Sequence, residues 1–274
     1  MQIATVKTAI APLYQTPQMH STRVDEVLFG MVVTVLEIAG EMAKIRTHYR
    51  YEGYTPTDCL FLQQTMTEEW EKAPKQMVQK PYLDVLKEPR VQGEILQSIP
   101  RGALLRTETQ STAVCADTWQ RVLLFDGTSG YVLPYALSPC VAAKSIPETQ
   151  LRDAICSSAL SYLGTQYRWG GKTPRGIDCS GLTAMAYLLN GVVLYRDAAI
   201  KEGFPLHEIA FSAIKPADLL FFPGHVAMYL GDEKFVHSTA YPAASGVCIA
   251  SLCSADSDYR ADLKASLYAV GSIF

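Results

Sequence analysis

A weak internal repeat is the feature that most constrains the fold of this chain. Within the first 140 residues, Gly53-Tyr54-Thr55 followed by Cys59-Leu60 aligns with Gly130-Tyr131-Val132 followed by Ala136-Leu137. Short β-branched and apolar runs between Gly, Asp and Pro residues indicate strands in both copies. Each copy spans roughly 60 residues, the size of one small β-barrel. We therefore predict two SH3-like β-barrels in tandem.

Composition changes mark the boundaries of these copies. Thr67–Pro74 is polar and ends at a proline, which is typical of a linker. At Pro147 and Glu148 an amphipathic helix begins, with apolar positions at Leu151, Ile155, Ala159 and Leu163. Helical patterns and then strand patterns follow, which indicates an α+β domain. The predicted organisation is a first barrel in residues 1–65, a linker in 66–80, a second barrel in 81–142 and the α+β domain in 146–274.

Charge and hydropathy exclude several classes of protein. The net charge is −3, and neither sign forms a long run, so we expect no nucleic-acid partner. No run approaches the roughly 18 apolar residues of a membrane span, so we expect no membrane insertion. The first residues lack a basic start and a long apolar stretch. We expect a cytoplasmic protein if the chain is complete, and a secreted or periplasmic one if a leader has been removed. The oligomeric state is left open.

The seven cysteines form no Cys-x-x-Cys pair, and their odd number argues against a disulfide framework. We expect free thiols in a reducing compartment. Cys248 and Cys253 have no histidine nearby in sequence, so no metal site is expected. We interpret six of the cysteines as small buried apolar residues. The exception is Cys179.

Cys179 lies in Asp178-Cys179-Ser180-Gly181-Leu182, which follows a Gly-rich turn and opens a helical pattern. Asp178 is the predicted N-cap and Cys179 the first helical residue. Free N–H groups and the helix dipole at this position favour a thiolate. The alternative is a further buried cysteine at the start of a helix.

A nucleophilic cysteine needs a base, and the base needs an orienting group. Two histidines occur in a β-hairpin pattern, His225 in the first strand and His237 in the second. A three-residue loop, Gly231 to Glu233, would pair Leu230 with Lys234 and Ala227 with His237. Both histidines would then share one face of the hairpin, whereas a two-residue loop would place them on opposite faces.

The chain resembles the NlpC/P60 cysteine peptidases in the order and spacing of five motifs: Tyr167–Gly171, Asp178–Leu182, Asp218–Phe222, His225–Gly231 and Phe235–His237. The two upstream copies resemble bacterial SH3 (SH3b) modules. Together they resemble the γ-D-glutamyl-L-diamino acid endopeptidases of cell-wall recycling.

The resemblance implies a papain-like α+β catalytic domain and assigns roles to its residues. Cys179 is the implied nucleophile, His225 the base, and His237 the residue that orients His225. The Tyr167 hydroxyl is implied to lie near the developing oxyanion. Asp178 and Ser180 are implied to contact the D-glutamyl part of a murein-derived peptide. No cofactor is expected.

The resemblance has several departures, at Tyr195, Ala198, Ala217 and the short link Pro223-Gly224, and one of them concerns a substrate contact. In Leu194–Ala198, Ala198 stands where many members carry a serine that contacts substrate.

In the first repeat, Tyr51 matches a tyrosine that recycling enzymes place at the cleft, and the second repeat has no matching tyrosine. A bound ammonium group needs a carboxylate, and Glu26 is the candidate. The alternative for Glu26 is a solvated loop acid.

The expected function is hydrolysis of the γ-D-glutamyl-L-diamino acid bond in murein peptides with a free N-terminal L-Ala. The mechanism would use a Cys-His-His triad and an acyl-enzyme. Two alternatives remain open. One is a wall-binding protein whose SH3b modules supply the function, and the other is a thiol amidase or acyltransferase of the same fold. Which diamino acid is used is not predicted.

Overall fold

The computed structural model describes residues 2–108, 119–140 and 146–274. The chain divides after Cys140 into two compact units. In the described part of the chain, no helix combines the length and apolar character that crossing a membrane requires.

The N-terminal unit contains two antiparallel sheets of seven strands each. The strands of the first sheet are β1 Gln2–Val6, β2 Ile10–Tyr14, β3 Arg23–Leu28, β4 Val32–Ala39, β5 Met42–Arg46, β6 Glu52–Pro56 and β7 Leu60–Phe61. Those of the second are β8 Gln76–Val78, β9 Tyr82–Leu86, β10 Ile95–Pro100, β11 Leu104–Thr107, β12 Gln120–Leu123, β13 Ser129–Val132 and β14 Leu137–Pro139.

The internal repeat is present in the topology of these sheets. The first has the order β3-β2-β6-β5-β4-β1-β7 and the second β10-β9-β13-β12-β11-β8-β14, which is the same order shifted by seven strands. The aligned glycines occupy equivalent positions in β6 and β13. A Cβ atom on Gly53 would lie 2.6 Å from Leu13 of β2, and one on Gly130 would lie 2.5 Å from Val85 of β9. Close approach of neighbouring strands therefore requires glycine in both copies.

The polar segment expected to be a linker connects the two sheets, but much of it is a helix, α1 (Gln64–Lys72). Trp70 is only 4% exposed, and its Nε1 donates a hydrogen bond to the Gly30 carbonyl at 2.7 Å. The predicted linker, residues 66–80, also includes β8. Polar composition was misleading because the helix buries one narrow face, Thr67 and Trp70.

The C-terminal unit has an α+β fold, as predicted. Its helices are α2 Glu148–Leu160, α3 Cys179–Leu188 and α4 Ala261–Ser266. A small hairpin joins β15 Lys172–Thr173 to β16 Gly176–Ile177. The main antiparallel sheet has the order β17-β22-β18-β19-β20-β21. Its strands are β17 His207–Ile209, β18 Leu219–Phe222, β19 His225–Gly231, β20 Lys234–Thr239, β21 Gly246–Ser251 and β22 Ala269–Ser272.

Helix α2 buries three of the four predicted apolar positions, Leu151, Ile155 and Ala159. The prediction that the fourth position, Leu163, is buried on this helix was wrong. The helix ends at Leu160, and Leu163 lies in the following turn with 48% of its surface exposed. Apolar residues of β18, β19, β20 and β21 form a core with Leu263 of α4. The strands that carry His225 and His237 thereby share one core.

Candidate active site

The first turn of α3 is fixed by the side chain of Asp178. One carboxylate oxygen, Oδ1, accepts a hydrogen bond from Gly181 N at 2.6 Å, which makes Asp178 the N-cap, as predicted. The other, Oδ2, accepts from Gly170 N at 2.8 Å. Gly181 approaches the Gly171 carbonyl so closely that a Cβ atom would lie 2.2 Å from that oxygen. The helix can therefore start beside the Gly170–Gly171 turn only with glycine at position 181.

Arg196 is part of this arrangement, although the sequence reasoning assigned it no role. Its side chain is 2% exposed, with Nη2 2.9 Å from Asp178 Oδ2 and Nη1 2.8 Å from Ser180 Oγ. The sequence signal for Arg196 is its position within Leu194–Ala198, the segment that departs from the family pattern. Both Asp178 oxygens accept from protein donors, so this carboxylate positions α3. Substrate contact by Asp178 or Ser180 stays a prediction.

Cys179 follows the cap, at the N-terminus of α3, and is 7% exposed. Burial raises the pKa of its thiol and the Asp178 carboxylate raises it further, while hydrogen bonds from the backbone of Val226 and Ser180 lower it. The net direction is upward, so the expectation of a resting thiolate was wrong. Loss of hydration and a neighbouring negative charge outweigh the N–H groups of the helix terminus.

The other cysteines are not the buried residues that we expected. Cys140 is exposed, and Cys59, Cys156, Cys248 and Cys253 are partly exposed. Cys115 lies outside the described residues. Among the described cysteines, Cys179 alone is buried, and all six are free thiols. The interpretation failed because apolar character does not require burial of a side chain as small as cysteine.

His225 and His237 lie side by side on β19 and β20. His225 Nε2 is 2.9 Å from His237 Nδ1, and the rings meet edge to face. The backbone N–H of Val226, next to His225, donates to the Cys179 sulfur. Cys179 therefore lies next to the strand that carries His225, and its part in a Cys-His-His triad stays a prediction.

The expected hairpin register is present, but the expected turn is wrong. Gly231, not Leu230, pairs with Lys234, so the loop has two residues. Asp232 and Glu233 both have positive φ, 48° and 57°, as in the mirror-image turns that suit hairpins. A β-bulge between Tyr229 and Gly231 adds one residue to β19 relative to its partner strand β20. Met228 then pairs with Val236, which returns the histidines to one face.

Burial keeps both imidazoles neutral. It lowers the pKa of His225 to about 4 and that of His237 to about 3, and the positive charge of Arg260 acts in the same direction on both. A neutral imidazole has one nitrogen that can accept a proton. Because His225 Nε2 is bonded to His237, Nδ1 is the nitrogen left for a thiol proton, with the Nε2 proton donated to His237 Nδ1.

Tyr167 is half-buried beside β16, where its backbone bridges to Ile177. Burial raises the pKa of its phenol to about 12, and the negative charge of Asp178 contributes. The hydroxyl therefore keeps its proton at neutral pH and can donate to an anion. Its role at an oxyanion stays a prediction.

Glu26 and Tyr51 lie in the N-terminal unit, in the first sheet. Glu26 is on β3 and Tyr51 immediately precedes β6, and these strands flank β2 on its two sides. Glu26 is 1% exposed and pairs with Arg23 at 2.9 Å, so the alternative of a solvated loop acid was wrong. The Tyr51 backbone is held by Thr47, whose Oγ1 accepts from Tyr51 N at 3.0 Å.

Residues 164–255 match the model of the NlpC/P60 family. This range contains Cys179, His225 and His237, together with Tyr167 and Arg196.

Two relatives are similar along much or all of the chain. A Lysinibacillus sphaericus protein named dipeptidyl-peptidase 6 is 40% identical over 272 residues, which is 99% of each chain. A Bacillus cereus protein named γ-D-glutamyl-L-lysine dipeptidyl-peptidase is 26% identical, over 78% of this chain and 66% of its own length.

A solved structure shows the same fold. The crystal structure of an NlpC/P60 family protein from Bacillus cereus superposes with a TM-score of 0.81, covers 98% of each chain, and is 20% identical.

Proposed function

Since the chain belongs to the NlpC/P60 family, we propose that it is a cysteine peptidase that hydrolyses the γ-D-glutamyl-L-diamino acid bond of cell-wall peptides. The observation that carries this proposal is the contact of His225 Nε2 with His237 Nδ1 at 2.9 Å, beside a thiol at the start of a capped helix. The names of the two relatives indicate the bond: one is a dipeptidyl-peptidase, and the other acts at γ-D-glutamyl-L-lysine.

The reaction begins with neutral groups. The Cys179 thiol gives its proton to His225 Nδ1 as the sulfur attacks the γ-carbonyl carbon of D-glutamate. The resulting oxyanion is positioned for donors such as the Tyr167 hydroxyl. The carbon–nitrogen bond breaks as His225 returns the proton to the leaving amine of the diamino acid. A water molecule, deprotonated by His225, then hydrolyses the thioester and frees the thiol.

The buried group of Asp178, Ser180 and Arg196 holds the acyl side of the site. Arg196 donates to both Asp178 and Ser180, so the start of α3 cannot rotate without breaking charge-assisted hydrogen bonds. The Ser180 hydroxyl, held in place by this group, is the predicted contact for the D-glutamyl portion.

The dipeptidyl character requires recognition of a free N-terminal L-Ala. Glu26 supports this role as a buried carboxylate, the group that an ammonium needs, and Tyr51 is its predicted partner. The two sheets of the N-terminal unit are, in this proposal, SH3-like barrels. Their repeated strand order and matching glycine positions support this architecture.

The test is product analysis with L-Ala-γ-D-Glu-L-Lys and its N-acetylated form. The free peptide should give L-Ala-D-Glu and L-Lys, and the acetylated peptide should be cleaved much more slowly, because it lacks the ammonium group that Glu26 would bind. Glu26→Gln and Tyr51→Phe should reduce this discrimination.

Equal kcat/KM for both peptides in the wild type would show that the enzyme does not recognise the free N-terminal amine. Retention on cell walls without cleavage would favour the wall-binding protein, and transfer of an acyl group to another acceptor would favour the acyltransferase.

A further inference from the structure

We propose that Arg260 binds the carboxylate of the leaving diamino acid, so that the enzyme prefers peptides in which this residue is C-terminal. This inference rests on the proposed function and adds a specificity determinant on the leaving-group side. The sequence reasoning assigned Arg260 no role.

The guanidinium of Arg260 is held in a defined orientation. Its backbone N–H donates to the Ser251 carbonyl at 2.9 Å, immediately before α4. The guanidinium lies 4.6 Å from the centre of the Tyr241 ring, and its side chain is 16% exposed. Stacking on an aromatic face and partial burial reduce the freedom that an arginine loses on binding a ligand.

Arg260 also keeps donors for an incoming anion. Asp262 accepts from Nε at 2.8 Å and from Nη2 at 2.6 Å, which uses one edge of the guanidinium. The two N–H bonds of Nη1 are outside this pair. Asp262 is 61% exposed, so water already competes for it, and an incoming carboxylate can share the guanidinium.

The Tyr241 contact and the charge of Arg260 together place this residue on the side of the site that holds the histidine pair. Tyr241 follows β20, the strand that carries His237. Cys248, the cross-strand partner of His237, lies in the electrostatic field of Arg260, as do both imidazoles. Arg196, by contrast, contacts the start of α3. In this proposal, Arg196 serves the acyl side of the reacting bond and Arg260 serves the leaving-group side.

The chemistry of the bond places a carboxylate near Arg260. His225 must lie within hydrogen-bond distance of the leaving nitrogen in order to protonate it. That nitrogen is bonded to the α-carbon of the diamino acid, and the carboxyl group is attached to the same α-carbon. A cation beside His225 is therefore close to the α-carboxylate when the peptide ends there, and meets a neutral amide when the peptide continues.

The experiment compares L-Ala-γ-D-Glu-L-Lys with the same peptide ending in L-Lys amide, for the wild type, Arg260→Gln and Arg260→Lys. The control is Lys264→Gln, which removes a cation from α4 that pairs with Glu233. The wild type should prefer the free acid in kcat/KM by about tenfold to hundredfold, the factor for a hydrogen bond to a charged group. Added salt should reduce this ratio.

Arg260→Gln should lower kcat/KM for the free acid alone, which brings the ratio of kcat/KM for the free acid to that for the amide near one. Arg260→Lys should keep part of the wild-type ratio, and Lys264→Gln should leave that ratio unchanged. Equal cleavage of both peptides by the wild type would overturn the inference and leave the peptidase assignment intact. An equal loss on both peptides in Arg260→Gln would also overturn it, since it would show a role in holding the histidines. If the wild type cleaves neither peptide, the proposed function fails, and the inference fails with it.

Discussion

At the scale of single residues, the environment of Cys179 favours the neutral thiol over the thiolate. Burial and the Asp178 carboxylate raise the pKa of the thiol, and burial lowers the pKa of His225 to about 4. Both changes favour the neutral pair over a thiolate–imidazolium pair. Proton transfer then accompanies attack on the carbonyl, when the oxyanion gains its donors.

The two histidines should differ in their tolerance of substitution. His225→Asn should lower kcat by about 10²–10⁴-fold, because the general base is removed. His237→Gln should retain more activity, since an amide oxygen can accept the His225 Nε2 proton across the present 2.9 Å contact. Steady-state kinetics on L-Ala-γ-D-Glu-L-Lys measure both. Greater activity in His225→Asn than in His237→Gln would mean that the roles are exchanged.

The acid limb of the rate profile should lie well below the ordinary pKa of histidine. Protonation of His225 removes the base, so kcat/KM should fall as the pH decreases through about 4. The profile should be measured from pH 3.5 to 8, with circular dichroism at each pH to show that the protein stays folded. A limb centred near 6.5 in folded protein would contradict a buried, neutral His225.

At the scale of elements, the start of α3 depends on a buried ion pair. Arg196→Met leaves the Asp178 carboxylate without its cation, and breaking such a pair costs about 3–5 kcal/mol in free energy of unfolding. Urea denaturation of the C-terminal unit measures this loss. Lys264→Met is the matched control, because its exposed pair with Glu233 should contribute about 0–1 kcal/mol. Similar losses in both variants would contradict a structural role for Arg196.

The same elements show what the sequence could predict. Asp178 was identifiable as an N-cap because capping depends on local residue types. The β19–β20 register was predicted by an incorrect route, since a two-residue turn and a bulge combine to give the expected pairing. Short-range sequence patterns do not determine where a β-bulge forms. Arg196 was missed because its partners Asp178 and Ser180 lie 18 and 16 residues away, and only the tertiary fold brings them together.

At the scale of the whole molecule, the repeat was predictable and the connecting segment was not. Gly53 and Gly130 are repeated because each meets a neighbouring strand too closely for a Cβ atom, and such a constraint persists in sequence. Helix α1 contributes one large buried side chain, Trp70, to a segment that is otherwise polar. A single apolar residue in a polar segment does not produce the periodic pattern from which a helix can be predicted.

The stability of the C-terminal unit should depend on pH through its two histidines. Between their folded pKa values, about 4 and 3, and the ordinary value of 6.5, the unfolded chain binds protons that the folded chain does not. The free energy of unfolding should therefore rise with pH over this range and level off above 6.5. His237→Gln should reduce the slope. Urea unfolding at several pH values measures it, and an unchanged slope in the variant would contradict a neutral, buried His237.

The most direct measurement is the turnover of L-Ala-γ-D-Glu-L-Lys by the wild type, Cys179→Ala and Cys248→Ala, with products identified by mass spectrometry. Cys248 is a second free thiol of the same unit and serves as the control. The wild type and Cys248→Ala should both yield L-Ala-D-Glu and L-Lys. A folded Cys179→Ala should yield no detectable product. Cleavage by Cys179→Ala at a rate close to that of the wild type would show that a group other than the Cys179 thiol breaks the peptide bond, and Cys179 would then not be the nucleophile.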